Sequence, residues 1–362
     1  MRVTFVKLKN YRSYSSCDFT PCEGINVLQG DNGQGKTNLL EAVYLCCTGR
    51  SHRTRQDREL ISWGTDFASV QLRAERRDGS HDVELILPAQ GKRKIKIAGR
   101  EAARSGELMG HVAGVLFSPE DLRTVKDGPA ERRRMVDMTL SQIRPAYYYA
   151  LQRYNRALKQ RNEALKAALS SPPVLGTLDM WDQQLAAAGA ALTAKRAEYV
   201  QKLSVAARDI YRDIAGGRED FTVCYQPGVR DGGDIQTQLN ALLAARETDL
   251  RRATSTVGAH RDEVLLSVNG REVRAFGSQG QQRTAALAIR LAELTVMHDE
   301  IGEWPLLMLD DVMSELDPSR RRQLLGRLDS IQTIVTCTDM DDLAGAQTGA
   351  VWRVENAGIA LQ

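Results

Sequence analysis

The sequence predicts an α/β protein: a mixed sheet with flanking helices, built from both ends of the chain, with a mostly helical lobe inserted between them. Three observations carry this. Short apolar runs, Ile25–Gln29 and Pro305–Leu309, end at once in a glycine or in paired aspartates, as sheet strands that feed a site do. Lys36 to Thr48 follows the first run after a glycine-rich turn and repeats apolar residues with helical spacing. From Pro145 to about Ile214 the chain turns to Ala, Leu, Lys, Arg, Gln and Glu with few glycines, the composition of long helices.

Taken in order, Val3, Phe5, Val6 and Leu8 mark an opening strand, and Ile25–Gln29 a second. Leu39, Leu40, Val43, Tyr44 and Cys47 form one face of the helix that follows. Ala68–Arg73, Asp82–Leu87 and Lys94–Ala98, with turn signals at Asp78-Gly79 and Gly91, make a β-rich flank. Two or more long helices follow, broken at Ser170-Ser171-Pro172-Pro173, with no sustained heptad register. Residues 216–233 read as loops around one strand. Asn269-Gly270 signals a hairpin between Val264–Val268 and Glu272–Phe276. A helix is expected over Gln281–His298, another opening at Asp317-Pro318 with an acid cap and a first-turn proline, and a buried strand over Ile331–Thr336. The expected division is 1–120 with 255–362 for the sheet lobe and 121–254 for the insert. Solenoid and propeller folds drop out, since no repeat is visible.

The chain has 362 residues, 42% hydrophobic and 26% charged, which excludes a disordered or collagen-like protein. Forty-nine Lys and Arg against forty-six Asp and Glu leave +3, so nucleic-acid affinity has to come from local patches. Cysteines 17, 22, 46, 47, 224 and 337 form no Cys-x-x-Cys pair, which speaks against structural zinc and for a reduced environment. The first ten residues lack a leader's apolar core, and no stretch approaches the ~20 apolar residues of a membrane span, so a soluble, cytoplasmic protein with no membrane partner is expected.

Gly30-Asp31-Asn32-Gly33-Gln34-Gly35-Lys36-Thr37 satisfies the phosphate-loop pattern in its required context, between a strand and a helix. Glycines let backbone N–H groups close around phosphate oxygens, and the helix start adds partial positive charge. Lys36 would reach the β and γ phosphates of ATP, and Thr37 would ligate Mg²⁺. The apolar strand ending in Asp310 and Asp311 supplies carboxylates: Asp310 for the magnesium shell, Asp311 as general base or water-orienting group. Ser278 and Gly280, opening a helix, offer a second phosphate-binding terminus or a simple cap.

The ordered set NYRSY at 10–14, GDNGQGKTNLLEAVY at 30–44, GRSHRT at 49–54, FSPEDL at 117–122, GPAERRRMVD at 128–137, GAHRDE at 258–263, GSQGQQR at 277–283 and LDDVMSELD at 309–317 spans nearly the whole chain. It resembles the ABC-type ATPases of the SMC group, and within them the RecF family of bacterial recombination and repair, without the long coiled coil of SMC proteins. The resemblance implies an ABC-type ATPase head. It also implies that Ser278, Gln279, Gly280 and Gln281 occupy the ABC signature, which caps the γ-phosphate held by a second subunit, so that ATP joins a head-to-tail homodimer. Ser314, Glu315, Leu316 and Asp317 would form the loop after the second carboxylate motif. Gln279 replaces the usual glycine, Asp311 the usual glutamate, Ser118 the usual glutamine-loop residue and Thr338 the usual histidine switch. These departures imply slow hydrolysis acting as a timer.

The resemblance further implies ATP-dependent binding to gapped DNA and single-strand/duplex junctions, acting with RecR and RecO to support RecA loading in gap repair, replication restart and the SOS response. Three basic segments are candidates for DNA contact: Arg50, Arg53, Arg55 and Arg58; Lys92, Arg93, Lys94 and Lys96, the favoured one; and Arg132, Arg133 and Arg134. Arg12 is a weaker candidate for phosphate, Tyr147-Tyr148-Tyr149 for base stacking or helix packing, and His52 and His260 read as structural. The competing functions are a transporter-type ATPase, a non-catalytic ATP-binding clamp or scaffold, and a small-molecule P-loop kinase.

Overall fold

The structure of the protein, a computed structural model, describes residues 1–168, 176–328, 330–345 and 347–362. The expected helix break at Ser170–Pro173 lies outside the described residues. The chain forms two units: Met1–Asp121, Asp213–Gly216 and Leu287–Gln362 in the first, Leu122–Arg212 and Gly217–Ala286 in the second.

In chain order the first unit begins β1 (Arg2–Tyr11), β2 (Tyr14–Phe19), β3 (Ile25–Gln29), α1 (Lys36–Thr48), β4 (Phe67–Arg76), β5 (Gly79–Pro88), β6 (Lys94–Ile97), β7 (Arg100–Glu101) and β8 (Gly114–Phe117). The second unit holds α2 (Leu122–Lys126), α3 (Pro129–Ile143), α4 (Pro145–Ala167), most of α5 (Leu178–Ile214), β9 (Phe221–Gln226), α6 (Ile235–Arg252), β10 (Glu263–Val268), β11 (Arg271–Glu272) and α7 (Val273–Phe276). Helix α8 (Gln279–Ile301) belongs to the first unit from Leu287 on. The chain closes with β12 (Leu306–Leu309), α9 (Pro318–Leu325), β13 (Thr333–Cys337), β14 (Thr348–Glu355) and β15 (Gly358–Leu361).

The first unit has two six-stranded sheets. One, ordered β2-β1-β4-β5-β6-β7, is antiparallel, and β4 alternates inward and outward residues as a one-faced strand must. The other is ordered β15-β14-β3-β13-β12-β8 and is parallel except for β15. Strand β3 buries four of its five residues and pairs on both sides, which is why it reads as an unbroken apolar run. Its one inward amide, Asn26, is satisfied by Cys22 N at 2.8 Å and Cys22 O at 2.9 Å. Gln332 performs a similar service before β13, bonding Val3 N at 2.7 Å and Val3 O at 2.8 Å, and so ties β1 to that strand.

The second unit is mostly helical, with one antiparallel sheet ordered β11-β10-β9. The fully buried Arg161 on α4 bonds Asp182 at 2.5 Å, Asp249 at 2.6 Å and the Ser255 hydroxyl at 2.8 Å, joining α4, α5 and α6 through one cation. Buried Arg196 on α5 does the same for Asp137 at 2.9 Å and Asp262 at 2.7 Å. Removing any partner would leave a buried charge uncompensated.

Two expectations are corrected here. Residues 255–286, assigned to the sheet lobe, belong to the second unit, because β10 pairs along its length with β9, from Glu263 opposite Gln226 to Val268 opposite Phe221. The hairpin turn at Asn269-Gly270 forms, with φ 50° and 74°, the two left-handed residues of a tight hairpin. Its returning strand stops at Glu272, and Val273–Phe276 is a helical turn rather than a strand. Strands β2, β8, β14 and β15 were not anticipated. No helix among the described residues is long and apolar enough to cross a membrane.

Candidate functional site

The loop Gly30–Thr37 joins β3 to α1. Helix α1 starts at Gly35, with φ 112° and no side-chain cap, and its first turn holds no acid. Its leading N–H groups and dipole are therefore free for an anion. Asp31, Asn32 and Gly33 are exposed at the loop tip, while Lys36 is buried beneath it. The Lys36 ammonium donates to Gly30 O and, at 3.1 Å, to Asp31 O. Burial lowers its pKa, and the Asp311 carboxylate opposes that most strongly among the nearby charges.

The two strands that carry the motifs do not touch each other: β13 lies between β3 and β12. Thr336, near the end of β13, bridges them. Its hydroxyl donates to Asp310 Oδ1 at 3.0 Å and accepts from Asp311 N at 2.8 Å. Thr37 donates to the same Asp310 oxygen at 2.8 Å. Asp310 N bonds Phe117 O at 2.9 Å, which fixes the end of β12 against β8. Asp310 is 5% exposed, and burial raises its pKa against those two hydroxyl bonds. Its side-chain partners among the described residues are hydroxyls, with no bonded Lys or Arg. A buried carboxylate beside Thr37, both hard oxygen donors, suits a divalent cation such as Mg²⁺. No cluster of three or more His, Cys, Asp or Glu that could hold a metal exists among the described residues. A cation there would complete its shell with water and phosphate oxygens, as magnesium commonly does.

Asp311 turns outward with φ 53°, a conformation aspartate tolerates better than most residues, and its carbonyl accepts from Ser314 Oγ at 3.0 Å. Ser118 follows β8 directly, and its N–H donates to Asp121 at 2.8 Å; Asp121 is in turn held by Arg290 of α8. Ser118 thus stands at the same sheet end as Asp310. Thr336, Asp121 and Arg290 were missed by the sequence reading, since a threonine inside an apolar strand and a helical arginine carry no local signal.

The C-terminal hairpin was also missed. Its turn grips the loop: Asn356 N donates to Gln34 Oε1 at 2.6 Å and Ala357 N to Gln34 O at 3.1 Å. A Cβ on Gly30 would lie 2.2 Å from Val354 O, so Gly30 is required by close backbone approach. A cavity of about 320 Å³ opens beside this contact, lined by Gly30, Asp31, Gln34, Thr338, Arg353 and Glu355 among others.

Arg12 is committed elsewhere. It bonds both oxygens of the fully buried Glu41 at 2.9 Å, and Ser51 donates to Glu41 at 2.5 Å. Burial pushes the Glu41 carboxyl up, but the Arg12 and Ser51 bonds outweigh it and the net direction is down. His52 packs edge-on to Tyr44, with both ring nitrogens buried and without a hydrogen-bond partner among the described residues.

Ser278–Gln281 lie in the second unit. Ser278 Oγ accepts from Gln281 N at 3.2 Å, and Gln281 Oε1 accepts from Ser278 N at 2.8 Å, a capping box that starts α8. Ser278 and Gln279 remain exposed.

In the favoured basic cluster, Arg93 pairs with Asp57, Lys94 with Glu101 at 3.5 Å and Lys96 with Glu84 at 3.0 Å; Lys92 makes no ion pair among the described residues. Arg132 is buried on Glu263, and Arg133 donates to Asp262 O at 2.7 Å. Tyr147 is buried at the start of α4 and its hydroxyl bonds Asp137. His260 accepts from Tyr154 Oη at 2.8 Å.

Residues 2–358 match the model of the RecF/RecN/SMC N-terminal domain. The chain is 43% identical over 370 residues to the DNA replication and repair protein RecF of Lacticaseibacillus casei, covering 99% of this chain and 100% of that one. It is 41% identical over 342 residues to RecF of Agathobacter rectalis, covering 94% and 93%. Among solved structures it matches an ATP complex of the recombination mediator RecF in the RecFOR pathway, with a TM-score of 0.92 and 31% identity over 100% of this chain and 97% of that one.

Proposed function

The chain belongs to the RecF/RecN/SMC N-terminal domain family, and within it to the RecF proteins, and we propose that it is an ATP-dependent DNA-binding protein of replication and recombinational repair. ATP joins two copies head to tail on gapped DNA or a single-strand/duplex junction, and slow hydrolysis releases them. Together with RecR and RecO, the bound dimer supports RecA loading.

The observation that carries this reading is the uncapped start of α1, with Lys36 under the loop and the Thr37–Asp310 bond beside it. Backbone N–H groups of Gly33 to Lys36 hold the β-phosphate, and Lys36 exchanges its two carbonyl partners for phosphate oxygens. Thr37 and Asp310 would hold Mg²⁺, which would supply charge neutralisation to the phosphates. Asp311 orients the attacking water, and its short side chain and outward backbone keep turnover low. Ser278 spends an oxygen lone pair on the Gln281 N–H, so its own hydroxyl proton remains for a γ-phosphate oxygen bound by the second copy.

The test is anisotropy of fluorescent gapped duplex with and without ATP and Mg²⁺, beside Ser278→Arg. Tight binding only with ATP, lost in the variant while the monomer still binds ATP, is the expected result. DNA binding that ignores ATP, or a Ser278→Arg protein that dimerises normally with ATP, would overturn it.

A further inference from the structure

Trp63 is fully exposed, in contrast to the other three tryptophans. Trp304 stacks on His298, Trp352 meets Phe19 edge-on, and Trp181 packs on the Leu165 and Leu178 cluster. The indole is held out by a bonded turn. Thr65 N and Oγ1 both return to Ser62 O, at 3.3 and 2.8 Å, and Gly64 takes the left-handed corner at φ 78°. Ser62 is itself pinned to the end of β1, its N–H to Asn10 O and its hydroxyl to Arg12 O, both at 2.8 Å. The backbone at Trp63 is therefore pinned, and its side chain is left to solvent among the described residues.

The charges of the preceding segment, and of the chain entering β6, which is tied to it by Arg93 and Asp57, sort by partner. Arg93 neutralises Asp57 and also reaches Gly49 O, while Arg12 and Arg53 cover Glu41. Arg50, Arg55 and Arg58 are exposed and make no ion pair among the described residues, and neither does Lys92, next to Arg93. Against these four cations the segment from residue 50 to 66 carries the exposed acids Glu59 and Asp66. An exposed indole on a pinned turn, five and eight positions along the chain from the unpaired Arg58 and Arg55, matches a nucleic-acid strand, with phosphates for the cations and a base face for the ring. In a duplex both faces of every internal base are covered, so the ring can take only an unpaired base or the outer face of an end pair.

We propose that Trp63 stacks on an unpaired base where single-stranded DNA leaves a duplex, with Arg55 and Arg58 on the adjoining phosphates. This rests on the reading of DNA as partner, and it supplies the element that tells a junction from plain duplex. It also gives that contact a path to the nucleotide site. The turn that holds Trp63 bonds Arg12 O, and the next two residues touch the loop helix, Ser13 through Asn38 at 2.9 Å and Tyr14 through Gly35 O at 3.1 Å.

The test uses the full chain with ATP and Mg²⁺. Its probes are a blunt duplex and the same duplex with a single-stranded overhang carrying 2-aminopurine at the first unpaired position. The wild type should prefer the overhang and quench the probe. Trp63→Ala should abolish the quenching and lower overhang affinity by about 5- to 150-fold, the loss of one stacked base, while its blunt-duplex affinity stays within about twofold. Trp63→Phe should recover much of both. Arg55→Ala should weaken both DNAs alike and reduce the salt slope by about 1. A Trp63→Ala protein that binds and quenches as wild type overturns the proposal and leaves the indole to a protein surface. A wild type that binds both DNAs equally overturns this inference alone, whereas one that binds neither overturns the functional reading as well.

Discussion

The Thr37 hydroxyl donates to Asp310 Oδ1 at 2.8 Å, a bond between residues 273 positions apart that closes the phosphate loop onto the acid-ended strand β12, across the intervening β13. Thr336 supplies the second hydroxyl to the same oxygen at 3.0 Å. A buried carboxylate held by neutral donors opposes folding until a cation offsets it, because burial raises its pKa above that of the unfolded chain.

That arrangement makes Asp310→Asn a variant with opposite effects on stability and function. Without nucleotide it should melt higher than the wild type, since the amide keeps the shape and removes the charge. Its gain in melting temperature on adding ATP with Mg²⁺ should shrink, and turnover should fall by about 100-fold or more. Calorimetry with and without Mg-ATP measures both; a lower melting temperature in the ligand-free variant would count against the account.

Two glycines of the loop should respond differently to alanine. At Gly30 the added Cβ meets Val354 O at 2.2 Å and has to displace the C-terminal hairpin, at a cost of about 2–4 kcal/mol. At Gly33 nothing lies within 4 Å, and only the left-handed φ of 82° is strained, at about 1 kcal/mol. Urea midpoints of the two variants should differ in that order, and protease should cut near residue 356 only in Gly30→Ala.

His260 should make the second unit sensitive to acid. Its Nε2 faces Ser255 O at 3.1 Å, which can only accept, so that nitrogen carries the proton and Nδ1 accepts from Tyr154. Burial, the leading cause, brings its pKa down to about 4, below the 6.5 of an unfolded chain. The unfolded state therefore takes up the proton first. This contribution is complete above about pH 6.5 and falls away towards pH 4, by about 3 kcal/mol at most. His260→Gln should flatten the urea midpoint between pH 6.5 and 4 relative to wild type; parallel curves would show that other groups govern the acid limb.

Much of the site was legible because its chemistry is local. Gly30–Thr37 is one contiguous turn between a strand and a helix, and both elements formed with the expected bounds, Ile25–Gln29 and Lys36–Thr48. Asp310 and Asp311 were readable from the apolar run before them. Thr336 was not, because its role depends on β13 lying between β3 and β12, an order that no local pattern encodes. The β14–β15 hairpin escaped for a related reason: its importance lies in the bonds of Asn356 and Ala357 to Gln34, far away in the chain. The basic clusters show the same limit. Charge runs are visible in sequence but their partners are not, and Arg93, Lys94, Lys96 and Arg132 all proved to face carboxylates.

By itself, then, the amino-acid order determined the strand–loop–helix unit, the acid-ended strand and the capping box of Ser278 and Gln281, since each depends on neighbours within a few positions. Tertiary structure decided which hydroxyls hold Asp310, why Gly30 admits no side chain, which arginines are left unpaired among the described residues, and that Trp63 stands fully exposed. Those properties arise from distances between residues that are remote in the chain, and only the packed sheets bring such residues together.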